Sequence, residues 1–311
     1  MSLCLEQRSG YPDNQPEQYQ HEIVRDLSWL IHSQSLMQLP DNLQPDWLFN
    51  DNQVSDKLAE LDQNPQKLIS GLRQQAHFRL GYYFEDLVRM YLKYFIQPLD
   101  LKSNIQVFHD KSTVGEYDFL MQLKDGQKIH LETAVKFYLC TCGDENICQT
   151  NHFVGPNRSD RLDKKWQRLM AHQLNLSRTE AGNDQAEAIN LVPDQRTLLL
   201  RGYLFYPYSH WQTCQADVPV NPDHARGWWL RSSDSEVLED NYRYTILMKP
   251  CWLAPARANF QKSLSFKELL EITTHITTPL LIARLSYNEG DCYWHESDRG
   301  FMVPDNWNLQ P

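Results

Sequence analysis

The sequence predicts an α/β fold whose core follows the order αβββαβ, with helical additions before the core and an α+β region after it. Three observations support this prediction. Apolar residues recur at helical spacing up to Pro98, and the pattern then changes to short runs rich in β-branched and aromatic residues. A basic amphipathic segment comes next. After it, the run TLLLRGYLFYP has the composition of a strand that is buried on both faces.

The chain before the core divides into an arm and a helical region. Residues 1–20 are polar and carry Pro12 and Pro16, which predicts a flexible arm. Residues 21–65 show helical spacing in IVRDLSWLIHS and DNQVSDKLAELD, so we expect a helical N-terminal extension. The stretch PQKLISGLRQQAHFRLGYYFEDLVRMYLKYFI continues this spacing and opens the predicted core, residues 66–207. The core therefore begins with helix.

Three β-rich runs follow the helices: NIQVFHD, EYDFLMQL and KIHLETAVKFYL. Asp125-Gly126 separates the last two and is a strong hairpin signal, so we predict that both runs are strands. In the strand interpretation, Glu132 and Lys136 share one face, since side chains alternate along a strand. A helix is the alternative, and there the same two residues would form an ordinary surface ion pair.

The length of the hairpin loop decides where Asp118 lies. A two-residue loop would place it on the opposite face of the sheet from Glu132. A three-residue loop with Gly126 in the left-handed conformation would set Asp118 opposite Ala134, diagonally between Glu132 and Lys136. Diagonal neighbours are about 7 to 8 Å apart, which is close enough for two carboxylates to converge on one ion. We predict the three-residue loop.

These residue types suit a metal site that acts on phosphate. Magnesium prefers carboxylate oxygens and water, so Asp118 and Glu132 are the expected ligands, with manganese as an alternative ion. A nearby lysine can stabilise charge on a phosphate group or help to activate water, and Lys136 is the candidate. The alternative is a set of solvated charges, or a salt bridge, on the face of the hairpin.

The run GEYD at residues 115–118, followed by a strand that carries Glu132, resembles the PD-(D/E)XK superfamily of metal-dependent nucleases, also called restriction-endonuclease-like. This resemblance implies a restriction-endonuclease-like αβββαβ core and catalytic roles for Asp118, Glu132 and Lys136. The chain departs from the usual Glu-x-Lys pattern, because Ala134 stands at the position of the lysine. Lys136 lies two residues further on, and its flexible side chain could reach back.

The resemblance also implies two supporting catalytic residues. Glu85 in GYYFEDLVRMYL matches a first-helix glutamate of these families, and Gln173 in MAHQLNLS matches a glutamine in the helix after the catalytic strand. Ordinary polar residues on helix surfaces are the alternative. The segments HLETAVKFYL, FVGPNRSDRLDKK and RGFMVP are further similar to a family of uncharacterised bacterial proteins of about 300 residues, placed within this superfamily.

A basic segment follows the hairpin. The whole chain has a formal net charge of −10, but residues 155–178 reverse this sign locally, and we predict a basic helix at about 157–177 and a polar loop at 178–194. Its position directly after the candidate catalytic strand favours contacts with a nucleic-acid backbone, DNA or RNA, over a merely solvated face. The expected substrate-binding residues are Arg158, Arg161, Lys164, Lys165 and Arg168.

The cysteines raise the question of zinc. Cys140, Cys142, Cys148 and His152 could supply four soft ligands, but the Cys-x-Cys spacing is tighter than in most zinc sites. We therefore expect thiols in a loop rather than structural zinc.

The chain shows neither an export signal nor a run of about 20 apolar residues, so we expect a cytoplasmic protein with reduced thiols and no membrane contact.

Residues 208–311 are rich in aromatic residues, and we expect an α+β region that packs on the core, with a helix in SFKELLEITTHI and a β run in PLLIARLSY.

Taken together, the sequence predicts a metal-dependent nuclease that hydrolyses phosphodiester bonds with water as the nucleophile. The alternative is a catalytically inactive protein of the same fold that serves as a nucleic-acid-binding or protein-interaction module.

Overall fold

A ten-stranded mixed sheet organises the protein. The computed structural model describes residues 18–50, 52–73, 79–142 and 147–307, so the predicted arm lies outside the described residues except for its last three positions. The α-helices are α1 (Glu22–His32), α2 (Val54–Gln63), α3 (Gln66–Ile69), α4 (Leu80–Tyr91), α5 (Leu162–Arg168), α6 (Glu180–Ala188) and α7 (Phe266–Thr273). The strands are β1 (Asp100–His109), β2 (Ser112–Gln122), β3 (Lys128–Cys140), β4 (Ile147–Cys148), β5 (Phe153–Val154), β6 (Gln195–Pro207), β7 (Gln215–Ala216), β8 (Ala225–Arg231), β9 (Arg243–Leu247), β10 (Arg257–Ala258), β11 (Leu280–Asn288) and β12 (Tyr293–Val303).

The sheet is continuous across the predicted core and the C-terminal region. Its strand order is β1-β2-β3-β6-β8-β12-β11-β9, with β5 beside β3 and β10 beside β12. The first three strands form an antiparallel meander, and β6 then runs parallel to β3. A parallel pair needs a crossover connection, and α5 and α6 lie in it. The fold is therefore mixed α/β, as the sequence predicts at this level.

Helices cover both faces of the sheet near β3. On one face, α1 and α4 contribute to a large apolar cluster in which the ring of Trp29 stacks on Tyr203 of β6 at 5.8 Å between ring centroids. On the other face, Leu162 and Leu169 pack with Tyr138 of β3. Aromatic and aliphatic side chains on both sides explain why most of β6 is apolar along its length, whereas β3 keeps polar residues such as Glu132 on one face. On the crossover face, the buried carboxylate of Glu132 is reached by Gln173, which follows α5.

The hairpin between β2 and β3 has the predicted loop size but a different register. Three residues form the loop, Gly126 has the expected positive φ of 92°, and Asp125 Oδ1 accepts the N–H of Gln127 at 3.0 Å, which fixes the turn. Gln122 pairs with Lys128, whereas the predicted register pairs Lys124 with that residue. The prediction was wrong by two residues because the loop begins one residue earlier than expected.

The basic helix is shorter than the sequence predicts. Instead of covering about residues 157–177, α5 begins at Leu162 and continues as a π-helical turn, Leu169–Gln173. Arg158 lies before it in a tight loop with a φ of 63°, and its N–H donates to the carbonyl of Gly155 at 2.7 Å. π-Helical turns occur frequently at functional sites, and this one ends at a predicted site residue.

The polar loop predicted at residues 178–194 contains a helix, α6. Thr179 caps it, because its hydroxyl accepts the N–H of Gly182 at 3.1 Å. Only Gly182 and Ala186 of this helix are buried, so its apolar periodicity is too weak to be recognised in the sequence.

The C-terminal predictions agree with the structure: SFKELLEITTHI contains α7 and PLLIARLSY forms most of β11. No helix in the described part of the chain is long and apolar enough to cross a membrane.

Candidate active site

Asp118 and Glu132 lie where the β2–β3 ladder ends. The last residues that pair are Phe119 and Leu131, and continuing this register by one step sets Asp118 opposite Glu132, not opposite Ala134 as predicted. The shift is an even number of residues, so both carboxylates stay on the same face of the sheet. The two acidic side chains are therefore direct cross-strand neighbours.

The carboxylate of Asp118 binds the backbone of β3 beyond the last paired residues of the β2–β3 ladder. Its Oδ2 accepts the backbone N–H of Thr133 at 2.7 Å and the hydroxyl of the same residue at 3.1 Å. These two bonds hold the side chain against β3. Among the described residues, Oδ1 of Asp118 has no hydrogen-bond donor, so this oxygen is available to a ligand.

Glu132 is fully buried and is held from two sides. Its Oε1 lies 2.8 Å from Nε2 of His130, and its Oε2 accepts a hydrogen bond from Nε2 of Gln173 at 3.0 Å. The amide oxygen of Gln173 in turn accepts a hydrogen bond from Nζ of Lys165 at 2.9 Å. A chain of contacts therefore runs from Lys165 of α5 through Gln173 to Glu132. The predicted residue Gln173 reaches the site because the π-helical turn carries it there.

Burial disfavours ionisation of both acids, and the charges of neighbouring carboxylates add to this effect. Burial raises the pKa of Asp118 well above its ordinary value, and the charges of Glu132 and Glu85 raise it further. Burial likewise raises the pKa of Glu132 to about 8, against the opposing charge of Lys165 and the hydrogen bond from Gln173. A bound cation would favour the ionised form of both acids, since an opposite charge nearby lowers a carboxyl pKa.

Lys165 is the lysine whose charge acts on these acids. Burial lowers its pKa and the charge of Lys136 lowers it further, while Asp118 and Glu132 act in the opposite direction. The predicted lysine, Lys136, instead donates to Oδ2 of Asp160 at 2.5 Å, and the hydroxyl of Tyr138 donates to the same oxygen at 3.0 Å. Its catalytic role stays a prediction.

Glu85 approaches the site from α4. Its Oε2 accepts hydrogen bonds from Arg73 at 2.9 Å and from Nδ2 of Asn104 at 3.2 Å. Asn104 also donates to Oε1 of Glu116 at 3.2 Å. It adopts a φ of 54° in β1, between the residues that pair with Phe119 and Tyr117, and so lies beside Asp118. Backbone strain of this kind is often found at functional sites.

Asn104 is a site residue that the sequence did not reveal. Asparagine tolerates the left-handed conformation better than most residues, but it lies at the start of a β-rich run that gave no reason to expect a kink. Asp160 was also missed as a partner for Lys136, because it lies 24 residues further along the chain. Only the three-dimensional fold brings these residues to the carboxylates.

The five predicted substrate-binding residues line one surface cleft of about 510 Å³, together with Lys136 and Asp160. Arg161 is committed to Asp163 by two hydrogen bonds, of 2.6 and 2.8 Å, so its charge is locally balanced. Within the described part of the chain, Arg158, Lys164 and Arg168 have no ion-pair partner. The cleft therefore keeps unpaired positive charge beside Lys165, which suits an anionic ligand.

Fold and site together define a mixed α/β protein with paired acidic side chains beside a basic cleft. The family described as "Domain of unknown function (DUF1853)" matches residues 25–303, and the chain belongs to this family. No curated protein and no solved structure matches the chain significantly.

Proposed function

We propose that the protein is a magnesium-dependent phosphodiesterase of the PD-(D/E)XK type, which hydrolyses DNA or RNA with water as the nucleophile. The observation that carries this proposal is the placement of Asp118 and Glu132 as direct neighbours, with Lys165 linked to Glu132 through Gln173. The order α4-β1-β2-β3-α5-β6 agrees with the order that the resemblance implies, with the short strands β4 and β5 before α5 and the additional helix α6 before β6.

The donor atoms fit magnesium. Oδ1 of Asp118 is open to a ligand, and each carboxylate oxygen of Glu132 can accept a further interaction beyond its present one. Magnesium prefers oxygen ligands and is commonly bound through one or two carboxylates, with water completing its coordination. When bound, magnesium would supply positive charge next to phosphate and would lower the pKa of a coordinated water.

Residues of the chain would orient the two carboxylates, stabilise charge on phosphate and bind the nucleic acid. Thr133 and Gln173 hold Asp118 and Glu132 in place, so both carboxylates are oriented before a substrate arrives. Lys165 supplies the ammonium that the usual pattern assigns to the strand, where this chain has Ala134. An ammonium in this place can stabilise the negative charge that develops on phosphate. Arg158, Lys164 and Arg168 contact the backbone of the nucleic acid in the cleft.

The test is metal-dependent cleavage of labelled single- and double-stranded DNA and RNA. We expect cleavage with magnesium or manganese, and a loss of at least about 100-fold in Asp118→Asn and Glu132→Gln, the scale seen when a catalytic stabilising group is removed. Asp184→Asn is a matched control, because Asp184 is an exposed carboxylate on α6. The proposal fails if no substrate is cleaved, or if all four proteins cleave equally.

A second candidate function is nucleic-acid binding without cleavage. The observation that favours it is that both oxygens of Glu132 already have hydrogen-bond partners, so the buried acid is satisfied without a metal. In that case the wild type would bind nucleic acid with equal affinity in magnesium and in chelator, and Asp118→Asn would bind as well as the wild type. Lys164→Ala would weaken binding under either candidate, because it removes positive charge from the cleft.

A further inference from the structure

Four cysteines meet at the end of β3 that lies away from the β2–β3 turn. Cys140 is the last residue of β3, Cys142 follows two residues later, Cys148 belongs to β4, and Cys214 directly precedes β7. All four are buried, with at most 6% of any of them exposed. The expectation of thiols in an ordinary loop was therefore wrong for Cys140 and Cys148, which lie in strands, because β4 and β7 pair and enclose this end of the sheet.

Three of the sulfur atoms, those of Cys140, Cys142 and Cys148, lie close together, and the sulfur of Cys214 lies beside that of Cys148. Sγ of Cys140 lies 3.0 Å from Sγ of Cys142, and Sγ of Cys148 lies 3.3 Å from Sγ of Cys214. Cys142 and Cys148 are within bonding distance, with their Cα atoms 6.0 Å apart. A disulfide between these two is the competing state, but it would involve only two sulfurs and gives no reason for the other two to point at the same pair.

A tetrahedral zinc ion accounts for the cluster of three sulfurs and for the fourth sulfur, that of Cys214, beside Cys148. Thiolates at about 2.3 Å from zinc lie about 3.8 Å from one another, and the sulfurs of Cys140, Cys142 and Cys148 all fall within 4.8 Å of each other. Cys214 replaces the fourth ligand that the sequence suggested, His152, which instead accepts the N–H of Gln149 through Nδ1 at 3.3 Å. The fourth ligand comes from 66 residues further along the chain than Cys148, so sequence spacing could not reveal it.

The surroundings supply charge and rigidity. Four thiolates and one Zn²⁺ carry two net negative charges, and Arg226 lies beside them with NH2 donating to the carbonyl of Cys214 at 2.9 Å. The indole of Trp229 donates to the carbonyl of Cys140 at 2.8 Å, which fixes the end of β3. Hydrogen bonds to the residues that carry metal ligands help to hold those ligands in position.

We propose that Cys140, Cys142, Cys148 and Cys214 bind one structural zinc ion that ties the end of β3 to β4 and β7. The site also braces the basic cleft, because Cys140 pairs with Phe153 of β5 and the next segment leads to Asp160 and α5. This inference is independent of the proposed nuclease activity, since it uses different residues.

The test measures metal in the full-length protein, freed of any affinity tag and purified in a phosphine reductant without chelator. We expect one zinc per chain by mass spectrometry of the metal. Replacement by cobalt should give the intense thiolate-to-cobalt charge-transfer absorption, which carboxylates do not produce. The Asp118→Asn, Glu132→Gln double variant should keep this absorption, so the result does not depend on the fate of the magnesium proposal.

Variants then assign the ligands. Cys214→Ser should weaken zinc binding at least about tenfold, the lower end of what even an indirect ligand contact contributes. Cys292→Ser is the matched control, because Cys292 is exposed in the turn between β11 and β12. Wild-type protein without zinc and without the cobalt absorption would overturn the proposal. A Cys142–Cys148 disulfide that persists in freshly purified, reductant-treated protein would overturn it as well.

Discussion

A buried acid far from the cleft gives a quantitative test of the fold. Asp26 of α1 is 2% exposed and accepts the hydroxyl of Tyr83 at 2.6 Å and the backbone N–H of Ala254 at 2.9 Å. It therefore joins α1 to α4 and to the segment before β10. Burial, and then the charge of Glu22, raise its pKa from 3.8 to about 7, against the effect of its two hydrogen bonds.

A raised carboxyl pKa makes the folded protein bind the proton more tightly than the unfolded chain does. Asp26 therefore contributes more stability at low pH, and this contribution is lost as the pH rises through about 7. At 1.36 kcal/mol per pH unit, the 1.5 units between pH 5.5 and 7 correspond to about 2 kcal/mol. Asp26→Asn removes the titrating group and hence this dependence.

The assay is urea unfolding followed by circular dichroism at pH 5.5, 7 and 8.5. The free energy of unfolding of Asp26→Asn, relative to the wild type, should become about 2 kcal/mol more favourable between pH 5.5 and pH 8.5. Asp184→Asn should follow the wild-type profile. A constant difference between Asp26→Asn and the wild type across this range would refute the reasoning, because it would mean that Asp26 ionises alike in the folded and unfolded chains.

Three further predictions concern the site and its strands. In the cleavage assay, Lys165→Ala should lose at least about 100-fold in rate, whereas Lys164→Ala should weaken binding and flatten its salt dependence with a smaller effect on the rate at saturating substrate. Gly202→Ala should destabilise the protein by about 3 kcal/mol or more in thermal unfolding, because φ is 141° and the added Cβ would lie 1.8 Å from the carbonyl oxygen of Lys136. Asn104→Gly should keep the backbone conformation but lose the side-chain bonds to Glu85 and Glu116, so we expect lower cleavage with little change in melting temperature.

The sequence revealed those parts of the fold that depend on local pattern. Alternation in HLETAVKFYL and the Asp125-Gly126 turn were enough to predict strands, the size of the loop and the shared face of Asp118 and Glu132. The same evidence misplaced the register by two residues, because a loop of fixed size can begin at either of two neighbouring positions. α6 was missed for a different reason, since so few of its residues are buried that its apolar period is weak.

Contacts across the crossover were beyond the reach of sequence pattern. Lys136 was the candidate because it shares a face of β3 with Glu132, although it lies two residues beyond the usual position of the lysine. The predicted register placed it diagonally next to Asp118. In the observed register Asp118 lies opposite Glu132, so Lys136 is displaced by a further two residues and pairs with Asp160. The lysine that is linked to Glu132 comes instead from α5, the helix on this face. Lys165 donates to Gln173, and the π-helical turn places Gln173 within hydrogen-bond distance of Glu132. The observed register and the position of this helix together explain why Lys165, and not Lys136, is linked to Glu132.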